Sequence, residues 1–232
     1  MPEGIVLAGG FGTRLRDAVP DLPKPMAPVN GRPFLEILLA NLARKGFGRV
    51  ILSLGYMAEK ITSHFGTQYS GVELSYVVEE QPLGTGGAVR LAMSECREDH
   101  FFVFNGDTFL DLEVDDVERR WRNTRNPVIV GREVDDTTRY GALLTENGRV
   151  TGFSEKGASG PGLINAGCYV LKQGQLDGFR INTSFSLETD YLEKAVQDRP
   201  FELFTTAGQF IDIGVPGDYA RAQHELGRYG QC

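Results

Sequence analysis

The sequence predicts an α/β protein with a mixed, mostly parallel sheet flanked by helices and extended on one side by antiparallel strands. Three observations lead there. Up to about residue 125, short apolar runs alternate with segments whose apolar residues recur at helical spacing, the pattern of a parallel sheet covered on both faces. After that point, apolar runs follow one another closely and are joined by turn residues rather than long helices. Finally, the first apolar run, Ile5 to Ala8, empties into Gly9-Gly10-Phe11-Gly12, which is how open α/β sheets make room for a phosphate.

In chain order, Ile5 to Ala8 reads as a buried strand because it is apolar throughout. Val29-Asn30-Gly31-Arg32 is a turn, and Pro33 suits the first position of a helix. Phe34, Ile37, Leu38 and Leu42 then recur at helical spacing until Gly46 ends the run. Strands are expected over 49–54 and 72–78, and helices over 57–65 and 85–96. The second of these helices begins inside a glycine stretch, Leu83-Gly84-Thr85-Gly86-Gly87. His100 to Phe104 is an almost wholly apolar strand that stops at Asn105-Gly106-Asp107. Beyond it come strands over 127–134, 140–145, 149–154 and 164–171, a helix over 188–197, a strand pair over 202–213 and a terminal helix from Pro216. No linker and no repeat interrupts the chain, so one domain over 1–232 is expected, with two lobes meeting at a cleft.

Composition narrows the functional classes. With 232 residues, 41% hydrophobic and 24% charged, the chain can bury a sizeable core. Its net charge of −7 advertises neither nucleic acid nor an anionic membrane as a partner. Cys96, Cys168 and Cys232 form no CxxC and no metal spacing, which favours a reduced compartment. No apolar run is long enough to span a bilayer, and the chain enters a strand too soon for a signal peptide, so a cytoplasmic protein is expected.

Against that acidic background, Arg14 and Lys24 are a local exception beside the glycine loop. Gly9, Gly10 and Gly12 let backbone N–H groups approach a ligand, and the two cations supply the charge a polyphosphate requires. The loop is not a dinucleotide fingerprint, because Leu15 stands where the third glycine belongs, and it lacks the Gly-Lys-Ser/Thr ending of a P-loop. Taken alone, it is equally a structural turn beside two surface cations. Pro23 and Pro25 weigh against that, since a free surface lysine has no need of restricted backbone on both sides. Asp107 follows a buried strand, where an α/β sheet presents its ligand groups, and Asp212 stands in the same way within Phe210-Ile211-Asp212-Ile213-Gly214. Two such carboxylates suit Mg2+, although an Asx turn explains either one by itself. His64, His100 and His224 match no motif and read as packing or surface residues. Cys96 and Cys168 read as small core hydrophobes, and Trp121 with the acidic run 111–116 as a helix start with a solvated face.

Together these segments resemble a family. AGGFGTRL followed by PKPMAPVNGRPFL is similar to the sugar-1-phosphate nucleotidyltransferases, and the resemblance continues through EQPLGTGGA, FVFNGD, GFSEK, INAGCYVL and FIDIGVPGDY, in order and over essentially the whole chain. The short catalytic-core form and the segment FSLETDYL most resemble the members that join GTP to D-glycero-α-D-manno-heptose 1-phosphate. The resemblance implies a Rossmann-like, nucleotide-diphospho-sugar transferase fold, with nucleotide bound by about 1–125 and sugar phosphate by about 126–232. It implies that Leu7, Ala8, Gly9, Gly10, Gly12, Thr13, Gln81, Gly86 and Asp107 contact the nucleotide, with Arg14 and Lys24 on the phosphates. Gly141, Glu155, Asn165 and Asp212 would meet the sugar, Lys156 would hold its phosphate, and Asp107 and Asp212 would carry Mg2+. The partners implied are a nucleoside triphosphate and a sugar 1-phosphate, with homo-oligomerisation left open.

Two other classes share parts of this pattern. A glycosyltransferase would need a D-x-D metal motif, which is absent, and would leave the Pro-Lys-Pro clamp without a task. A non-catalytic sugar-nucleotide sensor could dispense with Lys24 or a metal aspartate, yet all are present. Within the family, UTP with a hexose or muramic-type sugar phosphate is the competing substrate pair.

Overall fold

Strands apolar on both faces belong in the middle of a sheet that helices cover twice, and the structure, a computed structural model, places them there. It describes residues 1–10, 19, 21–154 and 160–230. The strands are β1 (Glu3–Leu7), β2 (Pro28–Val29), β3 (Arg32–Pro33), β4 (Arg49–Leu54), β5 (Gln68–Tyr69), β6 (Val72–Val78) and β7 (His100–Asn105). They continue as β8 (Thr108–Leu110), β9 (Val128–Val134), β10 (Leu143–Glu146), β11 (Arg149–Phe153), β12 (Gly162–Lys172), β13 (Glu202–Thr206) and β14 (Phe210–Asp212). The α-helices are α1 (Phe34–Arg44), α2 (Ala58–Phe65), α3 (Gly84–Ala92), α4 (Val114–Thr124), α5 (Glu193–Asp198) and α6 (Pro216–Glu225).

Among the described residues the main sheet runs β10-β11-β13-β9-β12-β7-β1-β4-β6-β5. Its centre, β7-β1-β4-β6, is parallel, with Ile5 opposite Ile51 and Val103. The long strand β12 joins this block antiparallel to β7 and carries β9 antiparallel on its other side. Strand β13 runs parallel to β9, and β11 and β10 close that edge in antiparallel fashion. The expected mixed sheet with an antiparallel extension is thus present.

Period-two alternation along β7 shows how both faces are filled. Phe102 and Phe104 point into one core with Leu35, Leu38, Leu39 and Leu42 of α1 and Val117 and Trp121 of α4. Phe101 and Val103 point into the other, against Val89 and Ala92 of α3 and Leu192, Ala195 and Val196 around α5. A smaller third cluster joins Phe34 and Ile37 to Phe109, Ile211, Ile213, Ala222 and Leu226. It sits beneath the two-stranded sheet β8–β14, in which Asp212 stands opposite Thr108. Helix α6 also grips the β2–β3 hairpin: Tyr219 and Gln223 both donate to the Pro28 carbonyl, and the Asn30 amide donates to Gln223.

Several sequence expectations need correction. The segment 202–213 holds two strands, but β13 pairs with β9 in the main sheet while β14 pairs with β8. Apolar patterning marks a strand without naming its partner. The strand expected over 140–145 starts only at Leu143; Ala142 makes an isolated bridge to Ile164, and Arg139 and Tyr140 lie in a turn. The helix expected over 188–197 begins as a π-helical turn, Leu187–Leu192, before continuing as α5. In the acidic run, Asp111 is tied to Lys45 at 2.7 Å, so only part of it is a solvated helix start. The thiols behave as expected: burial pushes Cys96 up to about 12, and Cys168 well above the ordinary thiol range. Cys232 lies outside the described residues.

His100 does structural work. Its ring stacks on Trp121 and lies 2.5 Å from Asp99 and 2.8 Å from Glu118. Burial works against charging His100, but the two carboxylates outweigh it and hold the imidazole above its ordinary value. Asp99 is lowered by the His100 hydrogen bond, and Glu118 is lowered although burial opposes it. A raised histidine stabilises the fold fully below its unfolded value of about 6.5 and loses this as pH rises through the raised one. The depressed carboxylates stabilise above about pH 4.5 and lose it as pH falls through their lowered values. His100→Gln should therefore be most destabilising, relative to wild type, between about pH 4.5 and 6.5, with the gap shrinking toward pH 9. Thermal unfolding of both proteins across that range checks it; a gap that does not change with pH would contradict it.

Candidate active site

The carboxyl ends of the parallel strands open onto one cleft, the position where α/β sheets bind ligands. Its volume is about 920 Å³. β1 delivers Leu7 and then Ala8-Gly9-Gly10, β4 delivers Gly55 and Tyr56, β6 delivers Glu79 to Pro82, and β7 delivers Asn105-Gly106-Asp107. From the other side come Arg139 and Tyr140, and beyond β14 Asp212, Gly214 and Val215. The loops are packed backbone to backbone: a Cβ on Gly55 would lie 2.9 Å from the Gly9 carbonyl oxygen. Gly10 faces open space, with nothing within 4 Å of where its Cβ would be.

Lys24 sits in a 3-10 turn, Lys24–Met26, with Pro23 at its N-cap and Pro25 buried. The Met26 amide donates to the Pro23 carbonyl at 2.7 Å, and the Ala27 amide to the Lys24 carbonyl at 3.0 Å. The prolines thus build a rigid turn whose lysine side chain is only 12% exposed. Its Nζ donates to Asp107 Oδ2 at 2.6 Å. Register in β8–β14, and an Ile213 amide donating to the Asp107 carbonyl at 2.9 Å, bring Asp212 to the same place. Asp212 accepts from the Gly214 amide at 2.7 Å. Burial, and then the charge of Asp107, push the Asp212 carboxyl upward, while Gly214 and Lys24 act against this. Two carboxylates and an ammonium therefore crowd one wall of the cleft.

Of the residues singled out in the sequence, Leu7, Ala8, Gly9, Gly10, Lys24, Gln81, Asp107 and Asp212 line this cleft. Gly12, Thr13, Arg14, Glu155 and Lys156 lie outside the described residues. Gly86 is a correction. Its amide donates to the Phe185 carbonyl at 3.0 Å, and a Cβ there would overlap the Phe185 ring and lie 3.0 Å from the Leu187 nitrogen. This glycine makes room for the 183–187 segment and does not line the cleft, whereas its neighbours Gly84 and Thr85 do. Gly141 and Asn165 do not line it either. Tyr140 stands there in place of Gly141, and the Asn165 amide is engaged within β12, donating to the Tyr169 hydroxyl at 2.7 Å and accepting from the Gly167 amide at 3.1 Å.

Sequence reasoning missed three charged groups of the cleft, Glu79, Glu80 and Arg139. Glu79 follows β6 as Asp107 follows β7, so the same strand-end signal marks it, with Glu80 beside it. It accepts from the Leu83 amide at 2.9 Å, and burial raises its carboxyl above the ordinary range. Arg139 left no signal, since Asp135-Asp136-Thr137-Thr138-Arg139 reads as a solvated loop. In the fold it is anchored to Asp218 of α6, stands 5.5 Å over the Tyr140 ring and is raised chiefly by its Asp218 hydrogen bond.

Comparison with known proteins shows which family builds this cleft. The model of the nucleotidyl transferase family matches residues 3–228. The chain belongs to that family. A D-glycero-alpha-D-manno-heptose 1-phosphate guanylyltransferase of Aneurinibacillus thermoaerophilus is 39% identical over 98% of this chain and 99% of its own length. A protein of the same name from Campylobacter jejuni is 36% identical over 94% of this chain and 96% of its own. Among solved structures, HddC from Yersinia pseudotuberculosis superposes with a TM-score of 0.86 at 37% identity, covering 96% of this chain and 98% of that one. HddC has also been crystallised in complex with GMP-PN. The fold of this nucleotidyl transferase is the one the sequence resemblance implied.

Because Phe185 is itself stacked on Phe179 at 3.9 Å, it has little room to yield to a side chain at position 86. Gly86→Ala should cost about 1–3 kcal/mol of stability, and a denaturant titration measures it directly. A neutral substitution would mean that the segment 183–187 is not held as described.

Proposed function

We propose that this nucleotidyl transferase joins GTP to a sugar 1-phosphate, D-glycero-α-D-manno-heptose 1-phosphate, giving a GDP-sugar and pyrophosphate. The observation that carries the reading is the convergence of Lys24, Asp107 and Asp212 at the carboxyl ends of the parallel strands, in a cleft of about 920 Å³. The choice of guanine and heptose is supported by the names of two relatives spanning nearly their full lengths, and by the GMP-PN complex of HddC. In this reading residues up to about 125 handle the nucleotide, with Gln81 toward base and ribose, and the remainder handles the sugar phosphate.

The chemistry asks little covalent help from the protein. A phosphate oxygen of the sugar 1-phosphate attacks the α-phosphorus of GTP; the new P–O bond forms as the bond to the β-phosphate oxygen breaks, and pyrophosphate departs with that electron pair. The attacking oxygen is already anionic, so no general base is required. What is required is to bring two polyanions together and to neutralise the charge that grows on the transferred group. Lys24, fixed by its prolines, supplies a positive point charge there. Arg14 joins it on the triphosphate, and Lys156 with Glu155 and Asn165 orients the sugar phosphate.

The donor set of the cleft fits a divalent cation. Asp107 and Asp212 offer only carboxylate oxygens, the ligands a hard ion takes, and their mutual repulsion in a half-buried place is what such an ion relieves. Two carboxylates, completed by water and substrate phosphate, suit Mg2+. When bound, Mg2+ polarises a phosphoryl oxygen and offsets its charge.

Lys24→Ala should lower kcat by a factor on the order of 10², read as pyrophosphate release at saturating substrates; near wild-type turnover would remove Lys24 from this role. Asp107→Ala should fold normally yet lose Mg2+-dependent turnover, and retained turnover with unchanged Mg2+ dependence would contradict the metal assignment. A panel of four NTPs against heptose and hexose 1-phosphates decides the substrates. GTP with the heptose should be fastest; UTP with a hexose would replace the pair, and no pyrophosphate from any pair would point to a sensor.

A further inference from the structure

The turn that follows β9 carries a cation into the cleft, and none of the roles above uses it. Arg139 lines the cleft from the side opposite the loops that follow β1, β4 and β6. Its guanidinium is held in two ways. One edge donates through Nη2 to Asp218, whose side chain is only 7% exposed, and the group stands 5.5 Å over the Tyr140 ring. Tyr140 is itself braced, its amide donating to the Thr137 carbonyl at 2.8 Å and its ring meeting Phe210 edge-on at 6.1 Å. Asp218 stands in the first turn of α6 and also accepts from Arg221 at 3.1 Å.

That grip leaves most of the fork uncommitted. A guanidinium carries five N–H donors in one plane, and among the described residues Asp218 is the acceptor that Arg139 meets. Its side chain keeps 46% of its surface open. Asp218 does not depend on it, because Arg221 also pairs with that carboxylate. Charge in the cleft gives the open edge a use. Glu79, Glu80, Asp107 and Asp212 line the cleft, and the ammonium of Lys24 is already on Asp107 at 2.6 Å. A second anion arriving there needs another cation, and a guanidinium offers two parallel donors that match two phosphate oxygens. Asp212 is near enough for its charge to favour the Arg139 cation, so the fork lies beside the wall where phosphoryl groups must meet.

We propose that Arg139 binds the phosphate of the sugar 1-phosphate with its open donor edge, and that Asp218 is the positioning residue that aims it. The inference rests on the function proposed above, which supplies the two substrates. The loops after β1, β4 and β6 form one side of the cleft, where that reading places the nucleotide. Arg139 comes from the other side, so it meets the second anion. Helix α6 then sets the separation of the two cations. Tyr219 and Gln223 hold the Pro28 carbonyl behind the Lys24 turn, while Asp218 holds Arg139. Two anions kept at a fixed spacing are what an in-line displacement between them requires.

The test measures pyrophosphate release by wild type, Arg139→Gln, Asp218→Asn, their double variant and Arg221→Gln. Arg139→Gln should raise KM for the sugar 1-phosphate about thirtyfold and leave KM for GTP within about twofold. Asp218→Asn should raise the same KM about fivefold. The double variant should match Arg139→Gln, because aiming an absent side chain has no effect. Arg221→Gln, which removes the other partner of Asp218, should leave both KM values unchanged. Inorganic phosphate carries the anion without the sugar; it should compete with the sugar 1-phosphate in wild type and weaken in Arg139→Gln by a similar factor. Arg139 is at an exposed position, so its variant carries the test should Asp218→Asn fail to fold. Unchanged sugar KM in Arg139→Gln, a rise in KM for GTP instead, phosphate inhibition that does not weaken, or additive effects in the double variant would each overturn the assignment. If wild type releases no pyrophosphate with any substrate pair, the functional reading falls and takes this role with it.

Discussion

The arrangement of the cleft depends on the pairing of two short strands, β8 and β14. Their register sets Asp212 opposite Thr108, beside a carboxylate that lies more than a hundred residues earlier in the chain. Neither strand is long enough to be stable alone; Phe109 and Ile211 hold them by burying their side chains with Phe34, Ile37 and Ala222. A packing decision beneath the sheet thus determines an electrostatic one above it. Once Asp107 and Asp212 share a wall, the ammonium of Lys24 is needed to keep them there, and it too is carried by a turn whose prolines leave it few alternatives.

This also reconciles an acidic protein with a polyanionic substrate. The net charge of −7 repels phosphate on average, and the described cleft adds Glu79, Glu80, Asp107 and Asp212 to that background. Binding must then come from local, preorganised charges rather than from a general field, and Lys24 and Arg139 are the described cations that line the cleft. Each is locked to a carboxylate, Lys24 to Asp107 and Arg139 to Asp218, so neither position is left to a floppy side chain. The price is a site with strong internal repulsion, which a divalent ion would lower.

Much of this was legible in the sequence where the physics is local. The strands over 49–54 and 72–78 occur with the bounds their apolar runs predict, and Asp107 and Asp212 were found because a carboxylate after a buried strand has few places to go. The same rule applies to Glu79, which directly follows β6. Gly86 gives room to Phe185, and composition does not separate that use of glycine from the close approach of a ligand. Arg139 and the pairing of β14 with β8 depend on contacts between distant segments, on which local periodicity is silent.

One feature of the fold bears on timing. The hairpin that follows the Lys24 turn is gripped by Tyr219 and Gln223 of α6, and Arg139 is anchored by Asp218 of the same helix. During synthesis the parallel core can assemble from the first half of the chain, yet these braces arrive only when residues 216–225 have been made. A nascent chain that already has its sheet therefore lacks a set lysine and a set arginine. Competence therefore waits for α6, and chains that lack it hold the architecture of the site without its set charges.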